Sequence, residues 1–261
     1  MNDILAKGSA SKLADFASSN VLLGFDYDGT LASIASRPRD ARMRVTTRRL
    51  LAGVAQKYPC IVISGRAHSD LVKRVCGLPL WHIVGNHGLE PWAQTTETAR
   101  AVRRWVQDLR THLGSLSGVF VEDKTYSATV HYRHARGRAG VQRAIAAAVG
   151  RLTDVRAVNG DDAVNLIPRD GPDKGVALQR ARRVTACDTA IYVGDDGTDE
   201  AAFASAPPAR LLAVRIGRSR FSHAPYFVKT QREIDRFLGA LLTLRGGSIS
   251  PAQSQPAQPV L

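Results

Sequence analysis

The chain has 261 residues, is 44% hydrophobic and carries 36 Lys and Arg against 23 Asp and Glu, a net charge of +13. That apolar fraction is enough for a sizeable core, and no apolar run approaches the ~20 residues of a membrane-spanning helix. The positive balance raises nucleic acid as a partner, but the arginines are scattered, with no basic stretch interleaved with aromatics and no zinc-ligand spacing, so they read as a solvated surface.

In chain order, residues 1–20 are expected to form a short helix with Ile4, Leu5, Leu13 and Phe16 as its apolar points. Residues 21–25 read as a buried strand that stops at two carboxylates, in Phe25-Asp26-Tyr27-Asp28-Gly29-Thr30-Leu31. Aspartates are poor strand formers, so a pair at a strand's carboxyl end needs a reason. An acidic Asp-Gly turn is one. A metal and a reacting group at the ligand-binding edge of a parallel sheet is another. A helix over 46–57, a strand over 60–63 running into Ser64-Gly65-Arg66, a helix over 68–76 and a strand over 82–84 continue a βαβ alternation.

The pattern then changes. A helix over 99–113 with Val102, Val106, Leu109 and Leu113 at helical spacing precedes strands over 119–123 and 126–133. A helix over 138–149 and strands over 153–158 and 162–167 follow, which makes an antiparallel α+β insert. In the strand 126–133, Ser127, Thr129, His131 and Arg133 share one face, and Glu122 and Lys124 share a face with Phe120. Such a face suits a polyhydroxyl ligand, and it also suits plain exposure to solvent. The alternation resumes with a helix from Asp173, a strand over 189–193, a helix over 199–205 and strands over 211–215 and 226–228. Thr230 and Glu233 form a capping box for a last helix. The fold class is therefore α/β, a Rossmann-like parallel-sheet core (1–87 and 171–245) with an inserted α+β cap (88–170). Residues 246–261, rich in Pro, Ser and Gln, are expected to be a disordered tail.

Beside those strand ends and helix starts sit an acid pair, a hydroxyl (Ser64), a lysine (Lys174, in Gly171-Pro172-Asp173-Lys174-Gly175) and a second acid cluster, Gly194-Asp195-Asp196-Gly197-Thr198-Asp199-Glu200. If the strands are parallel neighbours, these groups converge on one crevice. Phosphoryl transfer needs such a set. A carboxylate approaching a phosphate must have its repulsion cancelled by cations, and a proton must be given and then taken back.

The order of these motifs resembles the haloacid dehalogenase-like (HAD) phosphotransferase superfamily. The resemblance implies that Asp26 is the nucleophile that forms an aspartyl-phosphate, and that Asp28 is the general acid and then the base. It implies that Ser64 bonds the transferring phosphoryl group and that Lys174 neutralises its charge and holds Asp26. Asp195, with Asp196 and Asp199 close by, would bind Mg2+ together with Asp26 and the main-chain carbonyl of Asp28. Gly85-Asn86-His87-Gly88-Leu89-Glu90, Glu122-Asp123-Lys124 and His131-Tyr132-Arg133 narrow the likeness to trehalose-6-phosphate phosphatases. By that resemblance Lys124 contacts substrate from the cap, while Arg66, Asn86, His87 and Glu90 line the interface of cap and core. Glu122, His131, Arg133 and Asn165 complete the substrate-binding set it implies.

One stretch departs from the family. Asn165, in residues 160–168, stands where a sugar-binding glutamate is expected, and Asp161 and Asp162 stand where basic residues are common. An asparagine lacks the charge-assisted strength of a carboxylate. The expectation is a Mg2+-dependent phosphatase acting on trehalose 6-phosphate, with another glycosyl phosphate (sucrose phosphate, a glycosyl-phosphoglycerate) or a basic nucleic-acid-binding protein as alternatives. Residues 1–5 lack the basic-then-apolar pattern of a signal peptide, and Cys60, Cys76 and Cys187 are odd in number and without metal-ligand spacing. A cytoplasmic monomer is expected, with a small-molecule substrate and no nucleic-acid or membrane partner.

Overall fold

A computed structural model describes residues 1–160 and 162–246. The tail expected from 246 onward lies outside them apart from Gly246. Strands β1 (Asn2–Asp3), β2 (Val21–Phe25), β3 (Cys60–Ile63) and β4 (His82–Val84) belong to a seven-stranded sheet with β9 (Thr189–Gly194), β10 (Leu211–Ile216) and β11 (Tyr226–Val228). Its order is β1-β11-β10-β9-β2-β3-β4, and every pairing is parallel. The chain between β4 and β9 supplies a second, antiparallel sheet of β5 (Phe120–Asp123), β6 (Ala128–His131), β7 (Val155–Gly160) and β8 (Ala163–Pro168) in the order β5-β6-β8-β7.

The central position of β2 explains its unbroken apolar run, since a parallel strand covered on both faces has no polar side to show. Val21, Leu23 and Phe25 pack toward α1 (Ala10–Ser18), α2 (Val45–Ala55), α3 (His68–Val75) and α8 (Ile234–Arg245) through Phe16, Leu51, Leu71 and Phe237. Leu22 faces the opposite layer, where α6 (Lys174–Val184) and α7 (Glu200–Phe203) bring Leu178 and Phe203. A side chain at Gly24 would press on the Tyr192 ring at 2.8 Å, so glycine is required there. Helices α4 (Thr96–Leu113) and α5 (Arg138–Val149) cover one face of the second sheet, with Trp105, Leu109, Ile145, Val130 and Leu166 as its core. Its other face turns toward the parallel sheet.

Two expectations need correction. The first twenty residues are not one helix, because Asn2 and Asp3 pair in parallel with Tyr226 and Phe227 before α1 begins. The capping box does not form: the Thr230 side chain makes no cap bond, and Glu233 accepts from the Lys229 amide at 2.8 Å rather than from Thr230, at the start of a 3-10 turn.

Candidate active site

Parallel strands put their carboxyl ends at one edge, and the motif residues gather there. Asp26 follows β2, Ser64 follows β3, Asp195 follows β9, and Lys174 is the first residue of α6, whose N-cap Asp173 accepts from the Val176 amide. Asp26 is only 5% exposed and Lys174 only 2%. The Lys174 ammonium donates to Asp26 Oδ1 and to Asp199 Oδ1, each at 2.7 Å. Burial alone would lower the Lys174 pKa, but Asp199 and Asp26 overcome it and hold the lysine well above its ordinary value.

The three acids after β9 have different surroundings. Asp199 Oδ1 also accepts from the Tyr192 hydroxyl at 2.7 Å, and its Oδ2 accepts from the Asp195 and Asp196 amides at 2.9 and 3.1 Å. Burial would raise its pKa, yet the charge and hydrogen bond of Lys174 and the Tyr192 hydroxyl bring it below the ordinary carboxylate value. Asp196 closes on its own turn, accepting from the Thr198 amide and hydroxyl at 2.8 and 2.6 Å. Asp195 is held by the Thr30 hydroxyl at 3.0 Å. Its pKa is pushed well up by burial and by Asp199 and Asp196. Burial pushes Asp26 well up too; Lys174 pulls it back, and Asp199, Asp195 and Asp196 add to the rise.

Carboxylate oxygens of Asp26, Asp195 and Asp199 lie within 4.8 Å of one another. Three crowded, buried acids that offer only oxygen, two of them raised by burial and by the neighbouring carboxylates, are a donor set for a hard divalent cation such as Mg2+. Asp196 stands outside this trio, and the Asp28 side chain turns away from it. Gly29, at φ +81°, lies against the Asp195 carboxylate, where any side chain would collide with it.

Asp28 is gripped by Arg66, whose Nε and a terminal nitrogen donate to its two oxygens at 2.6 Å each. The third guanidinium nitrogen donates to Asp70 at 2.7 Å, and Arg74 fixes Asp70 in turn. The Asp28 side chain remains 37% exposed, so it is open to the crevice. The hydroxyl of buried Ser64 is reached by the Arg66 amide at 3.3 Å.

The loop after β4 ties the two sheets together. The Asn86 amide group donates to Glu90 Oε2 at 2.6 Å and to the Lys124 carbonyl at 3.0 Å, and its oxygen accepts from the Ser127 hydroxyl. Glu90 also accepts from the His68 amide and from Gln94. Asn86 and Glu90 are thus consumed by structural bonds. His87, left-handed at φ 59° and buried, packs against Gly65. Neither of its ring nitrogens meets a well-formed partner. Burial first, then Lys124 and Lys174, hold its pKa well down, with Asn165 pulling the other way, so the ring is neutral. It lines a cavity of about 40 Å³ between the sheets with Arg156, Asn165, Asp173, Lys174 and Thr198.

From the cap, Lys124 Nζ donates to the Gly65 carbonyl at 2.9 Å and lies 3.7 Å from Glu122, which pairs with His131 at 2.8 Å. Burial would raise the Glu122 pKa, but the His131 bond and Lys124 bring it down to about 2. Ser127 and Thr129 are 0% and 1% exposed, so the inner part of the polar sheet face is covered and is not an ordinary solvent face. Asn165 Oδ1 accepts from Thr129 at 3.0 Å. Arg133 reaches the Ala35 carbonyl at 3.4 Å and lies 3.7 Å from Asp162, which Arg138 pairs at 2.7 Å.

Sequence reasoning missed Arg156, Tyr192, Thr30 and Thr198. Alternation along β7 puts Arg156 and Val158 on one face and could have pointed to the first. Tyr192 lies inside an apolar strand, where nothing marks its hydroxyl as an Asp199 donor.

The trehalose-phosphatase family model matches residues 24–231. The chain belongs to the trehalose-phosphatase family. A relative, the trehalose-phosphate phosphatase of Mycolicibacterium paratuberculosis, is 36% identical over 235 residues, covering 84% of this chain and 57% of that protein. Its counterpart from Mycobacterium ulcerans is 33% identical over 240 residues, covering 83% and 60%. This trehalose-phosphatase family chain therefore spans less than two thirds of the length of these relatives. Among solved structures, the C-terminal domain of C. albicans trehalose-6-phosphate phosphatase superposes with a TM-score of 0.74 at 21% identity, over 90% of this chain and 96% of that one. A HAD subclass IIB sugar phosphatase superposes at 0.57 with 14% identity, over 84% and 97%. These structural likenesses speak for the fold, a HAD-type parallel-sheet core with a cap. Among the described residues no helix is long and apolar enough to cross a membrane.

Proposed function

We propose that the chain is a phosphatase that releases trehalose and phosphate from trehalose 6-phosphate. One observation carries the reading: Asp26 lies buried at the end of the central strand, held by Lys174, beside acids that need a cation, with a polar cap sheet closed over the crevice. Segments 1–87 and 171–245 are assigned to the core and 88–170 to the cap.

In this reading Asp26 attacks phosphorus as the ester P–O bond breaks, forming an aspartyl-phosphate, and the departing alkoxide takes a proton from Asp28. Asp28, now a carboxylate, then takes a proton from water as that water attacks the aspartyl-phosphate, which frees Asp26 and phosphate. Arg66 donates to both Asp28 oxygens, so in this reading Arg66 turns toward the incoming phosphate when Asp28 acts as the proton donor. Lys174 orients Asp26 and offsets its charge. Asp26 and Asp195, with the main-chain carbonyl of Asp28, would hold Mg2+, which supplies charge neutralisation at the phosphoryl oxygens. Asp199 keeps both oxygens on Lys174, Tyr192 and the backbone, and so acts as scaffold.

A second reading, a phosphatase for another glycosyl phosphate, is favoured by one feature. Asn165 faces the cavity beside His87 where the family expects a glutamate. Phosphate release from trehalose 6-phosphate, sucrose phosphate and a glucosyl-phosphoglycerate, each with Mg2+ and with EDTA, decides between them. A strong Mg2+-dependent preference for trehalose 6-phosphate is expected. Release only from the other esters would transfer the assignment to them, and salt-sensitive nucleic-acid binding without any release would replace it.

For Asp28, the Asp28→Asn protein should lose about 10²–10⁴-fold in turnover of the sugar phosphate, the usual range for general acid–base catalysis. The loss should be much smaller on p-nitrophenyl phosphate, whose leaving group needs no proton. Equal losses on both esters would leave Asp28 with a positioning role only.

A further inference from the structure

The polar face of the cap sheet changes along its length. At the inner end Ser127, Thr129 and Asn165 are almost fully covered, and Lys124 reaches the Gly65 carbonyl beside Ser64. At the outer end the Phe120 side chain stands on the same face yet is 62% exposed. Lys124, Glu122 and Phe120 form one row, because alternate residues of a strand share a face. At a rise of about 3.4 Å per residue, Phe120 lies about 14 Å from Lys124 along that row. The row begins beside the catalytic groups, since Lys124 Nζ donates to the carbonyl of Gly65, which lies between Ser64 and Arg66.

Single exposed apolar side chains are common and ordinarily need no explanation. Phe120 differs in being held. Its ring stacks on His131 with centroids 6.1 Å apart and planes inclined by 23°, and His131 is pinned by its 2.8 Å bond to Glu122. The outer end of the sheet also lies over the core. Arg133 and His134, which continue β6 past His131, reach the carbonyls of Ala35 and Ser36 in the loop beyond Asp28, each at 3.4 Å. A flat, oriented aromatic face therefore overlooks the mouth of the crevice, in line with an ammonium and a carboxylate suited to hydroxyl groups. That face carries the negative side of the ring quadrupole, which attracts the C–H-lined face of a sugar.

We propose that Phe120, backed by His131, is the platform on which the outer, unphosphorylated ring of a disaccharide phosphate stacks. The proposal rests on the reading of the chain as a sugar-phosphate phosphatase and sharpens its substrate class. Lys124 and Glu122 serve the ring that carries the phosphate, and Phe120 lies more than one pyranose ring further out. A monosaccharide phosphate would not reach it, so discrimination between one ring and two is built into the length of this row.

Steady-state kinetics of the full chain test this on trehalose 6-phosphate and p-nitrophenyl phosphate. The Phe120→Ala protein should show KM for trehalose 6-phosphate raised about threefold to tenfold, the scale of one aromatic contact, with kcat within about twofold. KM for the aryl ester should shift less, and Phe120→Trp should restore the wild-type KM for the disaccharide phosphate. An active wild type whose KM is the same after Phe120→Ala overturns the platform alone. A wild type that releases phosphate from the aryl ester but from no disaccharide phosphate overturns both the platform and the substrate reading beneath it.

Discussion

Asp26→Asn is expected to abolish turnover of every phosphate ester while leaving the fold as stable as before or slightly more so. The activity loss follows from the role. An amide oxygen is a poor nucleophile and cannot form the acyl phosphate, and removal of a nucleophile has cost about 10⁶-fold in well-studied enzymes. The stability outcome follows from the surroundings. Burial and the neighbouring charges of Asp199, Asp195 and Asp196 outweigh Lys174 and place the Asp26 pKa well above its ordinary value. A raised carboxylate pKa means that the charged form is worse off in the fold than in the unfolded chain, so at neutral pH the charge works against folding. Asparagine removes that charge and still offers an oxygen to the Lys174 ammonium. Phosphate release, together with thermal unfolding in EDTA, checks both halves. Turnover retained above about one part in a thousand would exclude the aspartyl-phosphate route.

Lys174→Met should have the opposite profile, losing activity and stability together. Among the described residues Lys174 is the one cation bonded to both Asp26 and Asp199, and its side chain and theirs are all at most 7% exposed. Removing one partner of a buried ionic cluster leaves charge uncompensated and costs about 3–5 kcal/mol. For a chain of this size that corresponds to a fall in Tm of roughly 6–20 °C. The pH dependence should change as well. Asp199, whose pKa is held below its ordinary value, contributes stability that is present at neutral pH and lost on acidification through its folded pKa. Without Lys174 most of that contribution disappears, so the variant should lose less stability than the wild type as the pH falls through that range. Thermal unfolding against pH in EDTA measures this. A Tm within 2 °C of wild type would show that Lys174 acts on the substrate alone and not as the keystone of the buried acids.

The two variants separate roles that sequence motifs place side by side. Strands 60–63 and 82–84 and helix 138–149 were legible to the residue, because a buried strand is a short apolar run stopped by Gly, Ser or Pro and an amphipathic helix repeats its apolar positions. The pairing of Asn2 and Asp3 with β11 was not, since a two-residue strand carries no periodic signal and exists only because Tyr226 and Phe227 offer it an edge. The expected capping box failed for a related reason: the residues were present, but the 3-10 turn moved Glu233 onto the Lys229 amide.

The sequence by itself determined the identity and order of the groups at the sheet edge: Asp26 and Asp28, Ser64, Lys174 and the acids from Asp195 to Asp199. It did so because parallel topology brings the residues that follow each strand to one place, whatever the details of packing. Only the tertiary structure decided what each group does with its polar atoms. Three acids in five residues read alike in sequence, yet Asp196 turns to Thr198, Asp199 to Lys174, Tyr192 and the backbone, and Asp195 to Thr30 on the neighbouring motif. Asn86 and Glu90 read as ligand contacts, and the fold employs them as struts to Ser127, Lys124 and His68. A hydrogen bond depends on tenths of an ångström between atoms distant in the chain, and spacing along the sequence does not encode that distance.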